Sequence, residues 1–266
     1  MEYKALTGLR PGQLHMLTAL IGKETGGVVK PGAKKPPAVG LLESVAMVVG
    51  LMRRNITQEI AGGIFGCSQP TVSRRWDLIR PVIAAVLARF IPDPVQVLGR
   101  GGTALVDGTV CPVWDWAAVP DLFSGKVGFA GMNIQIAARL DGEVAAIGPV
   151  PVHGARHDAH AYEASGLKLL LGRVGNKAAD LGYIGVDGID IVPFKRLDGR
   201  DLHDWQNEFN AHLSSIRSAV EHAVAKVKTW RMLSEEGGRY RCPLDKYENM
   251  LAAVTGLLFF AKYSNY

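Results

Sequence analysis

Through the first 98 residues the apolar positions recur at helical intervals. Leu9, Leu14, Leu17, Leu20 and Ile21 do so around Pro11, a favourable first-turn residue, and predict a short helix within residues 1–25. Gly26 to Pro37 (GGVVKPGAKKPP) reads as a linker or exposed loop. Leu41 to Met52 is strongly apolar and predicts a buried helix ending in the basic pair Arg53–Arg54. Thr57 to Ile79 carries two more helices, Pro81 to Phe90 another, and Ile91-Pro92-Asp93-Pro94 closes an all-helical region. After Gly99 the pattern changes. Short apolar runs at Thr103 to Val106, Asn133 to Ala138 and Val144 to Val152 predict strands, the last two joined by a Leu140-Asp141-Gly142 turn. His160 to Leu171 predicts a helix, Lys177 to Ala179 a brief strand leading into Asp180, and Ile189 to Phe194 another strand. Two long helices, roughly His203 to Trp230 and Lys246 to Tyr263, follow. Strands interspersed with helices in this order give a sheet with helices packed on its faces, an α/β or α+β arrangement. The expected division is an all-α domain over residues 1–98 and a mixed α/β domain over 99–266.

Composition narrows the class. Of the 266 residues, 48% are apolar and 21% charged, a globular mix that excludes a wholly disordered or fibrous chain. The longest membrane candidate, Met250 to Ala261, has 12 residues against the roughly 20 that a span needs, and Lys262 follows it. Met1, Glu2, Tyr3 and Lys4 do not open a secretory signal. Cys67, Cys111 and Cys242 lie far apart without a CxxC pair, which argues against a disulfide framework and a zinc ribbon and fits a reducing compartment. The expectation is a soluble cytosolic protein.

Charge is distributed unevenly. Residues 1–100 hold 13 Lys/Arg against 6 Asp/Glu, residues 101–190 hold 6 against 10, and residues 191–266 hold 11 against 9. A basic front attracts polyanions through counterion release, which makes nucleic acid the first partner to consider. Clustered carboxylates repel one another and are often held together by divalent metal. Solvated faces of either sign are the plain alternative.

Within the basic front, Thr57 is a suitable N-cap for a helix carrying Ile60, Ala61, Ile64 and Phe65; Gly66 supplies a turn, and Ser68 with Pro70 opens a second helix. Val72, Trp76 and Ile79 form that helix's apolar stripe and leave Gln69, Thr71, Ser73, Arg74 and Arg75 on the open side. A helix-turn-helix over about residues 57–80 with Arg and small polar groups near the start of its second helix suits a DNA major groove. A helical hairpin with a solvated face is the competing reading, and Gly62-Gly63 weakens the first helix.

Three carboxylates stand out farther on. Asp107 follows Ala104-Leu105-Val106, where a buried strand leaves the sheet, and Asp180 repeats the arrangement after Lys177-Ala178-Ala179. Each alone is more often a turn former. Glu221 flanks the stripe Ile216, Val220, Ala223, Val227 and Trp230 of a predicted helix, beside Arg217 and Lys228, where a Glu is usually solvated or ion-paired. Together, two strand ends and a covering helix could hold two Mg²⁺ (or Mn²⁺) ions about 4 Å apart, the arrangement that activates an attacking oxygen and stabilises a leaving one at a phosphodiester. Asp158 is a candidate accessory to that site, and His153, His157 and His160 with Asp158 form a competing transition-metal pattern at a predicted strand exit, where polar groups also cap helices.

Three ordered blocks carry a family resemblance: Val106-Asp107-Gly108-Thr109 with Pro112-Val113, Ala179-Asp180-Leu181-Gly182-Tyr183-Ile184-Gly185, and Val220-Glu221-His222-Ala223-Val224 continued by Lys226, Lys228 and Trp230. Gly154 to Asp158 adds a Gly-x-x-His-Asp block between the first two. From about residue 40 onward the chain resembles DDE-superfamily transposases of bacterial insertion sequences, in the branch of insertion-sequence-5-like elements and Harbinger-type nucleases, with an N-terminal helix-turn-helix. The resemblance implies an RNase H-like mixed sheet flanked by helices and preceded by an all-α DNA-binding domain. It implies Asp107, Asp180 and Glu221 as catalytic carboxylates and ligands of two Mg²⁺ or Mn²⁺ ions. It further implies nicking at transposon ends followed by attack of the freed 3′-OH on target DNA. Lys195, Arg196, Lys226, Lys228 and Arg231 would hold the DNA backbone, or else are plain surface charge. Expected partners are double-stranded DNA, both terminal repeats and target, and further copies of the chain in a dimer or larger oligomer, with no membrane and a place in the bacterial cytoplasm at the nucleoid. A DNA-binding regulator with an inactive nuclease-like domain, or a nuclease for branched DNA, are the rivals. Residues 1–40 match nothing in the family pattern, and Trp114 to Phe129 is less charged than that pattern.

Overall fold

A computed structural model describes residues 3–26, 39–114, 118–196 and 200–264. In chain order its helices are α1 (Lys4–Thr7), α2 (Pro11–Glu24), α3 (Leu41–Arg54), α4 (Gln58–Phe65), α5 (Gln69–Leu87), α6 (Pro94–Leu98), α7 (Asp158–Ala164), α8 (Leu167–Leu170), α9 (Asp204–Lys228) and α10 (Tyr247–Tyr263). Its strands are β1 (Thr103–Pro112), β2 (Phe123–Ser124), β3 (Phe129–Ala138), β4 (Val144–Ile147), β5 (Val152–His153) and β6 (Asn176–Ala178). Two compact units result, one from Met1–Ile91 with Thr229–Tyr266 and one from Pro92–Lys228. Thr229–Tyr266, expected with the α/β domain, therefore joins the helical unit. The linker reading at Gly26 to Pro37 lies, after Gly26, outside the described residues.

The helical unit is built on α3, whose Val45, Val48, Val49 and Met52 are fully enclosed. The single helix expected over residues 1–25 is two, because Gly8 takes a left-handed φ of 75° that ends α1 before Pro11 starts α2. Pro81 does not divide the next segment: α5 runs through it from Gln69 to Leu87. Ile79, Ile83 and Leu87 are buried on α5, and α10 contributes Leu251, Val254 and Leu257 to the same core, so apolar packing outweighs the backbone bond Pro81 cannot donate. At Gly256 of α10 a methyl would lie 2.7 Å from the Leu87 Cβ; the two helices approach there as only glycine allows.

Thr57 caps α4 by accepting the Ile60 amide at 3.2 Å, as its position predicts. Ser68 sits at the N-cap of α5, but its hydroxyl meets that of Thr71 at 3.1 Å in place of a backbone amide. Gly62 does not break α4. A methyl there would stand 2.6 Å from the Cys67 carbonyl, so the glycine lets the turn close against the helix.

In the second unit the sheet runs β2-β3-β1-β6, with β4 and β5 also paired to β3. β1 lies antiparallel to β3, from Leu105 opposite Ala138 to Pro112 opposite Gly131, and parallel to β6, from Thr103 opposite Asn176 to Leu105 opposite Ala178. This is a mixed sheet flanked by helices. Ala104, Val106, Ala137 and Ala146 pack with Tyr162, Leu167, Leu171 and Tyr183 on the side of α7 and α8. α9 covers the opposite side through Leu213, Val220, Ala223 and Val227.

Several boundaries differ from the sequence pattern. β1 continues past Val106 to Pro112 because β3 pairs with it from Leu105 through Pro112. The strand expected over Val144 to Val152 is split into β4 and β5 around Gly148-Pro149-Val150-Pro151, since proline donates no ladder bond. The helix expected over His160 to Leu171 becomes α7 and α8, separated at Gly166 with φ 78°. Ile189 to Phe194 forms no strand; Ile191 makes one isolated bridge to Ala178, and Pro193 lacks the donor that a continued ladder needs.

Candidate active site

Register brings the first two carboxylates together. Leu105 opposite Ala178 is the last parallel couple, and Asp107 and Asp180 each lie two residues beyond it, close enough for the charge of Asp180 to act on Asp107. Asp107 thus lies in mid-β1 against β3, opposite Ile136, yet just past the end of β6. Asp180 is held by accepting the Gly182 amide at 2.8 Å, which caps the 3₁₀ turn Leu181–Tyr183. One Asp107 oxygen accepts the Gly108 amide at 2.8 Å. From α9, a terminal nitrogen of Arg217 comes within 3.7 Å of Asp180 Oδ2. Burial pushes the Asp107 carboxyl up to about 6; Arg217 and the Gly108 amide oppose that rise, while Asp180 and Asp158 add to it.

Asp158, the first residue of α7, enters from the other side of the sheet. Asn133 Nδ2 donates to its Oδ1 at 2.9 Å and Gln135 Nε2 at 3.5 Å, while Lys126 Nζ pairs with Oδ2 at 3.0 Å. Behind them Tyr183 donates its hydroxyl to Gln135 Oε1 at 2.7 Å, and Gln135 donates to Asn133 Oδ1 at 2.9 Å. The amide orientations follow from this network: each donor finds an acceptor, ending on a carboxylate that can only accept. Gly108 makes the approach possible, since a methyl there would lie 2.4 Å from both Asp158 Oδ1 and Gln135 Nε2. A methyl on Gly182 would sit 3.0 Å from Asp180 Oδ1 and 3.8 Å from Asp158 Oδ2, so this glycine faces both carboxylates. The Lys126 ammonium is raised, first by its hydrogen bond to Asp158 and further by the charges of Asp180 and Asp107. Burial, with the charges of Asp158, Asp107 and Asp180, drives the Tyr183 phenol well above its ordinary value.

Glu221 is placed differently. It is exposed on α9, four residues and about one turn beyond Arg217, and it is Arg217 that reaches Asp180. Of the stripe expected beside it, Val220, Ala223 and Val227 are buried, whereas Ile216 is 44% exposed. His153 is half-buried on β5, and His157 and His160 are exposed. Among the described residues no group of three or more His, Cys, Asp or Glu side chains stands close enough to hold a metal ion, which includes the histidine pattern.

The residues expected to meet DNA also divide. On α5, Gln69 and Arg74 are exposed, and Thr71, Ser73 and Arg75 are half-buried, with Arg75 donating to the Val39 carbonyl at 3.3 Å. Lys195 and Arg196 are exposed after Phe194, which packs edge-to-face with Trp205 and Phe209, and Arg196 pairs with Asp201 at 3.1 Å. Lys226 is engaged with the Gly142 carbonyl at 3.0 Å and with the Glu143 carboxylate. Lys228 is half-buried, and Arg231 is exposed in the helical unit.

The donors around Asp107 suit a hard divalent cation. They are oxygens alone, the ligands that Mg²⁺ and Mn²⁺ prefer. Three carboxylates influence one another here, and two cationic side chains, Arg217 and Lys126, already answer them. A site that collects positive charge in this way is chemically compatible with a divalent cation.

Asn133, Gln135 and Lys126 lie outside the sequence blocks, and Tyr183 stands in the second block without an assigned role. Asn133 and Gln135 carried a signal nonetheless: two polar residues on one face of an apolar strand, 2% and 0% exposed. Lys126 had none, because the fold alone carries its loop to Asp158.

The sequence has counterparts among known proteins. Residues 106–258, more than half of the chain, match the family of DDE superfamily endonucleases, and the chain belongs to that family. It is an enzyme of the metal-dependent nuclease and transposase class. Among its relatives is a protein named as a transposase for insertion sequence element IS112 in Streptomyces albus G, 28% identical over 230 residues that cover 86% of this chain and 84% of the relative. Another, named as a transposase for insertion sequence element IS702 in Microchaete diplosiphon, is 23% identical over 263 residues, covering 95% and 92%.

Proposed function

We propose that the chain is the transposase of a bacterial insertion sequence, cutting DNA at the element's ends and joining the freed ends to target DNA. The observation that carries this reading is that Asp107 and Asp180, each two residues past the last β1–β6 couple, lie within one another's electrostatic reach with Arg217 beside Asp180. A central strand antiparallel to one neighbour and parallel to the other, with acidic residues past the parallel pairing and a long helix across one face, supports an RNase H-like fold. Asp107 and Asp180 would hold the metal, with Glu221 as the third carboxylate named by its sequence block. When bound, a pair of divalent ions polarises the attacking oxygen and stabilises the leaving oxygen of an in-line phosphoryl transfer. The protein's own groups do the rest. The Gly108 and Gly182 amides hold Asp107 and Asp180 in orientation, and Arg217 balances their charge before DNA arrives. The polar edge of α5, led by Gln69 and Arg74, would read the terminal repeats as a helix-turn-helix, with Thr71, Ser73 and Arg75 beside them and Lys195, Arg196, Lys228 and Arg231 on phosphates.

A second reading has an observation in its favour. Because no three carboxylates stand within reach of one ion among the described residues, a DNA-binding regulator with a nuclease-like but inactive domain also fits. Incubation of the protein with the DNA that flanks its own gene, with and without Mg²⁺, separates the two. Cuts that map to the element's ends and require Mg²⁺ support the transposase; sequence-specific binding without any cut supports the regulator.

A further inference from the structure

We propose that a cleft in the helical unit, walled on one side by residues 241–246, takes a backbone phosphate of bound DNA, with Arg241 as its principal partner. The inference rests on the reading of α4 and α5 as a helix-turn-helix and extends that interface to the stretch of chain that follows the sheet unit.

The cleft, about 330 Å³ in volume, lies between the end of α3, the start of α4, the side of α5 and the segment before α10. All of these belong to one compact unit. Buried Leu51, Trp76 and Met232 supply its apolar part, and Thr57, Gln58, Ser73, Arg241 and Lys246 its more exposed, polar part. Among the described residues that line it there is no Asp or Glu. Burial holds the Cys242 thiol of the same wall above its ordinary value, so that group adds no negative charge. Lys246 is answered by Asp77, whereas Arg241 is exposed and has no carboxylate partner among the described residues.

The groups left over are donors. Gln58 accepts the Gln69 side-chain amide through Oε1 and keeps its own NH₂ group for another partner. The first amides of α4 have no intrahelical acceptor, and Thr57 takes only that of Ile60. The Trp76 indole N–H, on a ring 2% exposed, meets no acceptor either. Donors at a helix start and an unpaired guanidinium, with no carboxylate lining the cleft, are matched by an anion. The surroundings select which anion. Gln58 is bonded to Gln69, and Ser73 immediately precedes Arg74, so the cleft adjoins the edge of α5 that the proposed function turns to DNA. A duplex docked on that edge presents a phosphate at every nucleotide.

Binding of the full-length protein to duplex DNA carrying the element's end, titrated at several salt concentrations in chelator, tests the assignment. Arg241→Ala should weaken binding about three- to tenfold, equally for that DNA and for unrelated duplex, and should lower the slope of log affinity against log salt by about one. Arg239→Ala, exposed on the same segment but outside the cleft, should change neither. Gln58→Glu keeps the acceptor for Gln69 and sets a negative charge beside the phosphate, so it should weaken binding at least as much as Arg241→Ala. If Arg241→Ala behaves like the wild type, or no differently from Arg239→Ala, while Arg74→Ala weakens binding, the phosphate seat is overturned and the helix-turn-helix reading stands. If Arg74→Ala is also without effect, both fall. Should Arg241→Ala fail to fold, Gln58→Glu decides alone: weaker binding upholds the seat, and unchanged binding overturns it. Inorganic phosphate at constant ionic strength separates the sources of the group. A phosphate-dependent rise in melting temperature that Arg241→Ala abolishes, with no change in the DNA salt slope, would assign the cleft to free phosphate and overturn the duplex contact.

Discussion

At Asp107 two opposing demands meet. Burial and the neighbouring Asp180 and Asp158 favour the protonated acid, while Arg217 and the Gly108 amide favour the carboxylate. The result, about 6 against an ordinary 3.8, has a definite sign for stability. A carboxyl that holds its proton more tightly when folded withdraws stability as pH rises from about 4 to about 6, and above that window the full cost remains. Asp107→Asn keeps the shape and removes the charge. In metal-free buffer at pH 7.5 it should therefore melt roughly 3–8 °C above the wild type, with the gain shrinking as pH is lowered toward 4.5. Thermal scans across that range check it; a lower melting temperature, or a gain that does not depend on pH, would contradict the electrostatic account.

At the scale of elements, α9 is the carrier. It is fastened to the sheet by Val220, Ala223 and Val227, and the same helix holds Arg217 against Asp180. Two matched truncations separate fastening from surface. Val220→Ala, at a fully buried position, should cost about 2 kcal/mol in urea unfolding, whereas Ile216→Ala, at 44% exposure, should stay within about 0.5 kcal/mol. Equal losses would mean that α9 packs by a different face. This contrast also shows where the sequence was legible. Periodicity located α9 and three of its apolar contacts, but Ile216 fits the stripe and is exposed, because which edge of a stripe is covered depends on the partner surface. Likewise Val106 ends an apolar run while β1 continues to Pro112, since β3 supplies both the ladder and, through Asn133 and Gln135, partners for a polar stretch. Asp107 and Asp180 were legible as acids that follow short apolar runs, but only Asp180 lies past the end of its strand, and Asp107 sits within β1. Their proximity came only from the parallel pairing of β1 with β6, and the place of Lys126 only from the loop between β2 and β3.

For the whole molecule, the charge asymmetry of the sequence is kept apart in the fold: basic residues of the helical unit on one hand, three interacting aspartates of the sheet unit on the other. On the proposed reading the helical unit would bind DNA and the sheet unit would cut it. Arg74, exposed on α5 and hydrogen-bonded to Thr71 at 3.2 Å, would reach a phosphate or a base edge on the proposed reading. Arg74→Ala should weaken binding to the element's terminal DNA by about 1–3 kcal/mol if it reads a base, and should lower the salt dependence of binding by about one phosphate if it does not. Binding titrations at several salt concentrations distinguish these, and a variant with unchanged affinity and slope would remove α5 from the interface. Mg²⁺-dependent cutting should survive this change at saturating protein, because Arg74 lies outside the carboxylate cluster.

The central claim is that Asp107 and Asp180 act as one cutting centre. Its most direct test compares the wild type with Asp107→Asn and Asp180→Asn on DNA carrying the ends that flank the gene, in Mg²⁺, with folding and DNA binding measured alongside. The account predicts that both variants fold and bind that DNA yet make no cut. A folded Asp107→Asn protein that cleaves at the wild-type rate would contradict it.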